Sequence, residues 1–201
     1  MKGTFIFLAD GFEEVEAILT LDILRRGGVD ARTVSIYEDN LVEGAHGVQL
    51  ISDLNWDEFA DSVTSQMMDL TREDDFLIFP GGMPGSTNLA AHEPLMKLAA
   101  AHYEVGGGLA AICAAPAFVL ASLQSGGEPL LKGQTMTCYD GCEAPFAAAG
   151  IVREAKASVI SGRVITGRGP GYAREFALDI LSAIKGKEAS ARVAAGFTPG
   201  Q

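Results

Sequence analysis

The chain has 201 residues, 48% of them apolar and 20% charged, with a formal net charge of −11. Such a composition fits one packed domain over residues 1–201 and excludes disorder; the acidic balance excludes nucleic-acid phosphate as a partner and disfavours anionic membranes, both of which need a Lys/Arg footprint. No apolar run approaches the roughly 20 residues that span a bilayer, Met1-Lys2-Gly3-Thr4 has no leader-like character, and three cysteines make no disulfide framework, so a cytoplasmic, reduced protein is expected.

In chain order, Thr4 to Ala9 is a continuous apolar run that reads as a buried strand. Glu13 to Arg26 has helical spacing and is stopped by Gly27-Gly28. Ala31 to Ile36 reads as a second strand, and residues 39–54 as an antiparallel excursion turning at Gly44 and Gly47. Asp61 to Asp75 is polar and reads as an exposed helix-loop. Phe76 to Phe79 is a buried strand stopped by Pro80-Gly81-Gly82, Pro94 to Tyr103 is helical, and Gly107 to Ile112 is the next strand. Residues 114–123 have the apolar content of a buried helix. Val159-Ile160 and Val164-Ile165 flank Ser161-Gly162 as a hairpin, Arg174 to Ile184 is an amphipathic helix, and Glu188 to Ala194 adds a short one.

This alternation argues for an α/β fold with a mostly parallel sheet covered on both faces, where sites form at the carboxyl ends of the strands. Four loops fall at that edge: Asp10 to Glu16, Pro80 to Gly85, Ile112 to Pro116, and Gly167 to Gly171. Cys113 stands at the tip of the third, between a strand and a helix that opens on proline. Free backbone donors and the positive end of a helix dipole would favour thiolate there. From the residues alone a small buried hydrophobe and an activated thiol both stay open.

At these four loops the chain resembles the ThiJ/PfpI family, also called the DJ-one superfamily. The pieces that carry the likeness are Asp10-Gly11-Phe12-Glu13-Glu14-Val15-Glu16, Arg25-Arg26, Pro80-Gly81-Gly82, Ala110-Ala111-Ile112-Cys113-Ala114-Ala115-Pro116, and Thr166-Gly167-Arg168-Gly169-Pro170-Gly171 with Glu175-Phe176-Ala177-Leu178. They run in order from residue 4 to about 185. The resemblance implies a flavodoxin-like three-layer sandwich of the class I glutamine-amidotransferase type, a homodimer, and an oxidation-prone cysteine nucleophile. It implies a cofactor-free glyoxalase or deglycase that takes small carbonyl substrates of the glyoxal and methylglyoxal type through a Cys113 hemithioacetal. A redox-sensing or chaperone-like protective protein is the alternative, and a cysteine peptidase ranks last.

Carried over by position, Cys113 matches the nucleophile and Glu16 the carboxyl group bonded to it. Gly81, Gly82 and Ala114 match the backbone facing the thiol and an oxyanion, and Asp22, Arg25 and Arg26 match first-helix positions toward a dimer interface. Cys138 departs from the family, standing where a histidine is usual. It reads as a buried small side chain or, more sharply, as a second thiol able to resolve an oxidised Cys113. His46, in the antiparallel excursion, is an auxiliary candidate in place of an arginine, whereas His92 and His102 read as solvated on a surface helix. Cys138 with Cys142 lacks the ligands of a tetrahedral set, so no metal is expected.

An ordinary thiol of pKa about 8.5 needs roughly 4 kcal/mol of preference for thiolate to fall by about three pH units. A helix N-terminus contributes about 0.3–1 kcal/mol, about 2 when partly buried, and a hydrogen bond to the charged group about 1.5–3. A pair sharing one proton, Cys113 as thiolate and Glu16 as neutral acid, is therefore expected. Glu16→Gln, whose amide still donates, should keep most thiolate character, and Glu16→Leu should raise the thiol pKa. Titrating the thiolate's ultraviolet absorbance checks this, and one pKa common to all three proteins would refute the pairing.

Overall fold

A computed structural model describes residues 3–64 and 75–197 of the chain. In chain order it runs β1 (Thr4–Leu8), α1 (Glu14–Arg26), β2 (Ala31–Ser35), β3 (Leu41–Glu43), β4 (Gln49–Ile51), α2 (Trp56–Thr64), β5 (Phe76–Phe79), α3 (Gly85–Ala91), α4 (Glu93–Glu104) and β6 (Gly108–Ile112). It continues with α5 (Ala115–Phe118), β7 (Gln124–Ser125), β8 (Glu128–Pro129), β9 (Thr135–Met136), α6 (Ala144–Ala149), β10 (Val152–Arg153), β11 (Ser158–Ser161), β12 (Val164–Gly167), α7 (Ala173–Lys185) and α8 (Lys187–Phe197). The expected helix-loop over 61–75 falls largely on residues 65–74, outside the described residues.

Six strands form the central sheet in the order β11-β12-β6-β5-β1-β2. Every pairing in it is parallel except β11 with β12, the expected hairpin. Strands β1, β5 and β6 are buried at every position, which is why they read as unbroken apolar runs. Alternate residues point to opposite faces. Phe5, Phe7, Leu77, Phe79 and Ala111 pack with Phe59 of α2, Leu89 of α3, Leu95 of α4 and Phe146 of α6. Ile6, Leu8, Ile78, Ala110 and Ile112 pack against Ile23 and Leu24 of α1 and Phe176 and Ile180 of α7. The result is three layers, helices over sheet over helices. Phe59 meets Phe5 and Phe7 edge-on, at 5.0 and 5.2 Å between centroids, and a side chain so buried stabilises the fold by about 1.5–3 kcal/mol. No helix among the described residues is long and apolar enough to cross a membrane.

The chain runs outward from β1 to β2, then crosses back to β5 on the other side of β1. The order therefore reverses between β1 and β5, and the loops leaving those strands flank the crevice where doubly wound sheets bind ligands. Strand β6 and its elbow lie next along the sheet.

Two expectations are corrected. The helix expected over 114–123 is broken into α5, of four residues, and a 3-10 turn at Leu120–Ser122. The Ser122 hydroxyl donates to the Phe118 carbonyl at 2.8 Å, so a side chain occupies the acceptor that a further turn would use. The histidines of α4 are not solvated. His102 is 2% exposed, with burial pulling its pKa down, and its ring fills the space that a side chain at Gly107 would take. His92 caps α4, Nδ1 accepting from the Leu95 N–H at 3.2 Å, with its ring edge-on to Trp56. Helix α3, unpredicted by its Gly-Ser-Thr-Asn start, is tied to the β1 loop by Gly85 N–H to the Gly11 carbonyl at 3.2 Å.

Candidate active site

Cys113 ends β6 with a φ of 64°, the one positive φ among the described non-glycine residues. A β-carbon in this left-handed region costs on the order of 1–3 kcal/mol and persists only where its surroundings over-determine it. Here they do. The Cys113 N–H donates to the Gly167 carbonyl at 3.0 Å, and the Cys113 carbonyl accepts from the Tyr139 N–H at 2.8 Å. The fourth loop and the chain after β9 thus pin both backbone groups of the elbow, leaving the thiol partly exposed at its tip.

Glu16 reaches the thiol from the first turn of α1 and is 1% exposed. Its Oε2 accepts the Gly81 N–H at 2.7 Å, Oε1 is buried without a partner among the described residues, and the carboxyl group is the neighbour of the Cys113 thiol, each influencing the other's ionisation. Gly81 in turn accepts the Glu13 N–H at 2.9 Å. A β-carbon on Gly81 would lie 2.5 Å from Cys113 Cβ and 2.7 Å from Glu16 Oε2, so only glycine lets the three segments close. This corrects one assignment: the Gly81 amide serves the carboxyl group and is not free for an oxyanion. The amides that face sulfur are those of Gly82 and Ala114.

Burial raises the Glu16 pKa to about 8, with the charge of Glu13 adding to it and the Gly81 N–H opposing. Burial likewise pushes the Cys113 thiol well above its ordinary range; the Glu16 charge adds, and the Gly82 and Ala114 amides oppose. Two buried neighbours cannot both ionise, so the pair carries at most one negative charge and titrates as a unit. The expected resting thiolate is thereby revised. A four-residue helix contributes little dipole, and the dry setting resists charge on either atom. What the geometry favours is transfer, since a proton moving from Sγ to Glu16 leaves the net charge unchanged. The expected ordering of Glu16→Gln below Glu16→Leu in thiol pKa is retained, because it depends on the donor.

Cys138 precedes Tyr139, whose N–H donates to the Cys113 carbonyl, and both cysteines are free thiols. Cys138 is wholly buried in the core cluster on the Phe7 face of the sheet, whereas Cys113 packs with the Ile112 face. Burial raises its thiol to about 11, with an Arg153 hydrogen bond opposing. Among the described residues, no third Cys, His, Asp or Glu completes a ligand group with Cys138 and Cys142. His46 sits on the β3–β4 turn with Nδ1 2.8 Å from Glu14 Oε2 and 3.8 Å from Glu13 Oε1. Asp22, Arg25 and Arg26 continue along α1 and have partners in their own chain: Arg26 bonds Asp22 at 2.8 Å and Arg25 bonds Asp53 at 2.7 Å. Sequence reasoning misses a cavity of about 310 Å³ beside the elbow, lined by Tyr139, Asp140, Arg168 and Tyr172. Arg168 stands in a recognised loop, but the fork it makes on Asp140 joins residues 28 apart.

A family model described as the DJ-1/PfpI family matches residues 2–183. The chain belongs to the DJ-1/PfpI family. It is 33% identical over 192 residues to Protein DJ-1 homolog B of Arabidopsis thaliana, covering 96% of this chain but only 40% of that longer protein. It is 31% identical over 188 residues to the Glutathione-independent glyoxalase DJR-1.2 of Caenorhabditis elegans, covering 93% and 91% of the two chains. The structure of oxidized Toxoplasma gondii DJ-1 superposes with a TM-score of 0.84 at 27% identity, covering all of both chains.

A carboxyl group whose pKa rises from 4.5 to about 8 on folding favours the fold below pH 4.5, and that advantage is lost as pH rises through about 8. Glu16→Gln removes the titration. The variant should match wild type near pH 4.5 and exceed it above about pH 8 by on the order of 4 kcal/mol. Denaturant midpoints across this range check it, and parallel curves for the two proteins would contradict the burial of an ionisable Glu16.

Proposed function

We propose that this chain is a cysteine-dependent enzyme acting, without a cofactor, on small α-oxoaldehydes or their adducts. One observation carries the reading: a partly exposed sulfur on a strained elbow, beside a buried carboxyl group of raised pKa and the Gly82 and Ala114 amides that favour its charged form. The C. elegans relative, named a glyoxalase, supports it. With Glu16 in its ionised form, Sγ attacks the aldehyde carbon as the thiol proton passes to Glu16, which hands that proton on to the carbonyl oxygen, giving a hemithioacetal and a carboxylate again. The Gly82 and Ala114 amides stabilise negative charge at the reacting centre. Glu16 then removes the hydrogen from that carbon and a proton returns to the neighbouring carbon, leaving a thioester. Water releases a 2-hydroxy acid and restores the thiol. The sum is aldehyde plus water, with no external oxidant or reductant.

The alternative, a redox sensor, draws support from the same exposed sulfur and from the oxidized state of the Toxoplasma neighbour. Methylglyoxal-to-lactate turnover separates them. Wild type should form lactate and Cys113→Ala should lose at least about a hundredfold; equal turnover in both would remove the enzymatic reading.

A homodimer in the cytoplasm belongs to the same proposal. Val15 and Ile18 of α1 lie exposed on one stripe with Asp22 and Arg25, and Val48 and Ile51 are exposed on the adjoining hairpin. Apolar side chains so grouped mark an interaction face, and we assign it to a second copy. Ile18→Asp with Ile51→Asp should yield a monomer in sedimentation, and an unchanged species, whether monomer or dimer in both proteins, would overturn the assignment.

A further inference from the structure

The loop that leads into α1 and Glu16, and that bonds Gly81 through the Glu13 N–H, is held from one side by the β3–β4 hairpin. The Gly11 N–H donates to the Glu43 carbonyl at 2.8 Å, the Ala45 N–H to the Phe12 carbonyl at 2.8 Å, and the Glu43 N–H to Asp10 Oδ1 at 3.0 Å. Glu14, the first residue of α1, closes this contact from within. Its Oε1 accepts the His46 N–H at 2.7 Å and the Val48 N–H at 3.4 Å, and its Oε2 meets His46 Nδ1 at 2.8 Å. The Glu14 side chain fills the space above Gly44, where any β-carbon would overlap it. From here the path to sulfur is short. Glu13 donates its N–H to Gly81, Gly81 donates to Glu16, and the next amide, Gly82, faces Cys113.

We propose that His46 is a positioning residue for Cys113: by closing on Glu14 it fixes the hairpin turn against the loop that orients Gly81, Glu16 and the thiol. The imidazole is exposed to solvent, at 69% of its side chain, and its ordinary pKa lies near neutrality, so the clamp answers to pH. From α1 and its cap, Glu14 and Glu13 face the ring; on the hairpin itself the charged neighbour is Glu43, bonded to Gln49 at 3.3 Å. The hydrogen bond that the ring donates to Glu14 and the charge of Glu13 raise the imidazole pKa. The cationic ring therefore persists to higher pH than an ordinary imidazole would, and the clamp loosens as pH rises through that raised value.

The inference rests on Cys113 being a reactive thiol, as the proposed function requires, but not on any substrate. Its readout is accordingly the rate of Cys113 alkylation by iodoacetamide, followed by mass spectrometry in the intact chain. At about pH 6, His46→Ala should slow alkylation about three- to tenfold, the range of couplings carried through packed contacts. The deficit should shrink toward about pH 9, where the wild-type ring has lost its proton. His46→Arg keeps a charged donor at every pH and should restore the rate while abolishing the pH dependence of the ratio. Equal rates for wild type and His46→Ala at all pH values, or failure of His46→Arg to rescue a slow His46→Ala, would overturn the proposal. Loss of methylglyoxal turnover with this alkylation pattern intact would instead remove the proposed function and leave the positioning role standing.

Discussion

The site depends on one backbone hydrogen bond, from the Gly81 N–H to Glu16 Oε2 at 2.7 Å, and on the missing side chain that permits it. Through it the first helix, the loop after β5 and the elbow after β6 meet at a distance no other residue type would allow. The bond satisfies one oxygen of a carboxyl group that burial would otherwise penalise heavily. The other oxygen, Oε1, is buried without a hydrogen-bond partner among the described residues. The crossover between β1 and β5 supplies the crevice, but glycine supplies the contact.

Much of this arrangement is legible in the sequence, for identifiable reasons. Parallel strands buried on both faces leave uninterrupted apolar runs, so Thr4–Leu8, Phe76–Phe79 and Gly108–Ile112 stand out, and the glycine-rich loops between strand and helix mark the active edge. What is hidden depends on tertiary context. Acids are ordinary in a first helical turn, so nothing local tells Glu16, which is buried, from Glu13, which is not. Helix α3 has a weak local signal and forms because neighbours hold it: the Asn88 side chain donates to the Asp10 carbonyl at 3.0 Å. The apolar content of 114–123 is real, but the α-helix stops at Phe118 and a 3-10 turn follows, with the Ser122 hydroxyl bonded back to the Phe118 carbonyl. So short a helix also weakens the dipole argument for a resting thiolate.

The two faces of the sheet divide the cysteines by role. Cys138 is buried in the core with a guanidinium neighbour, and Cys113 is partly exposed with a carboxyl neighbour, although the residue after Cys138, Tyr139, donates its N–H to the Cys113 carbonyl. A reading by residue type alone would treat them as equivalent thiols. Layer and side, set by strand alternation, make them different chemical species.

The left-handed backbone at Cys113 has a consequence beyond this molecule. Glycine would adopt that bend without the β-carbon's steric cost, so a side chain there works against the local backbone preference. Descendants in which the chemistry has fallen idle should drift to glycine at the elbow ahead of alanine or serine. The identity of that single residue would then separate working lineages from retired ones by genome comparison alone.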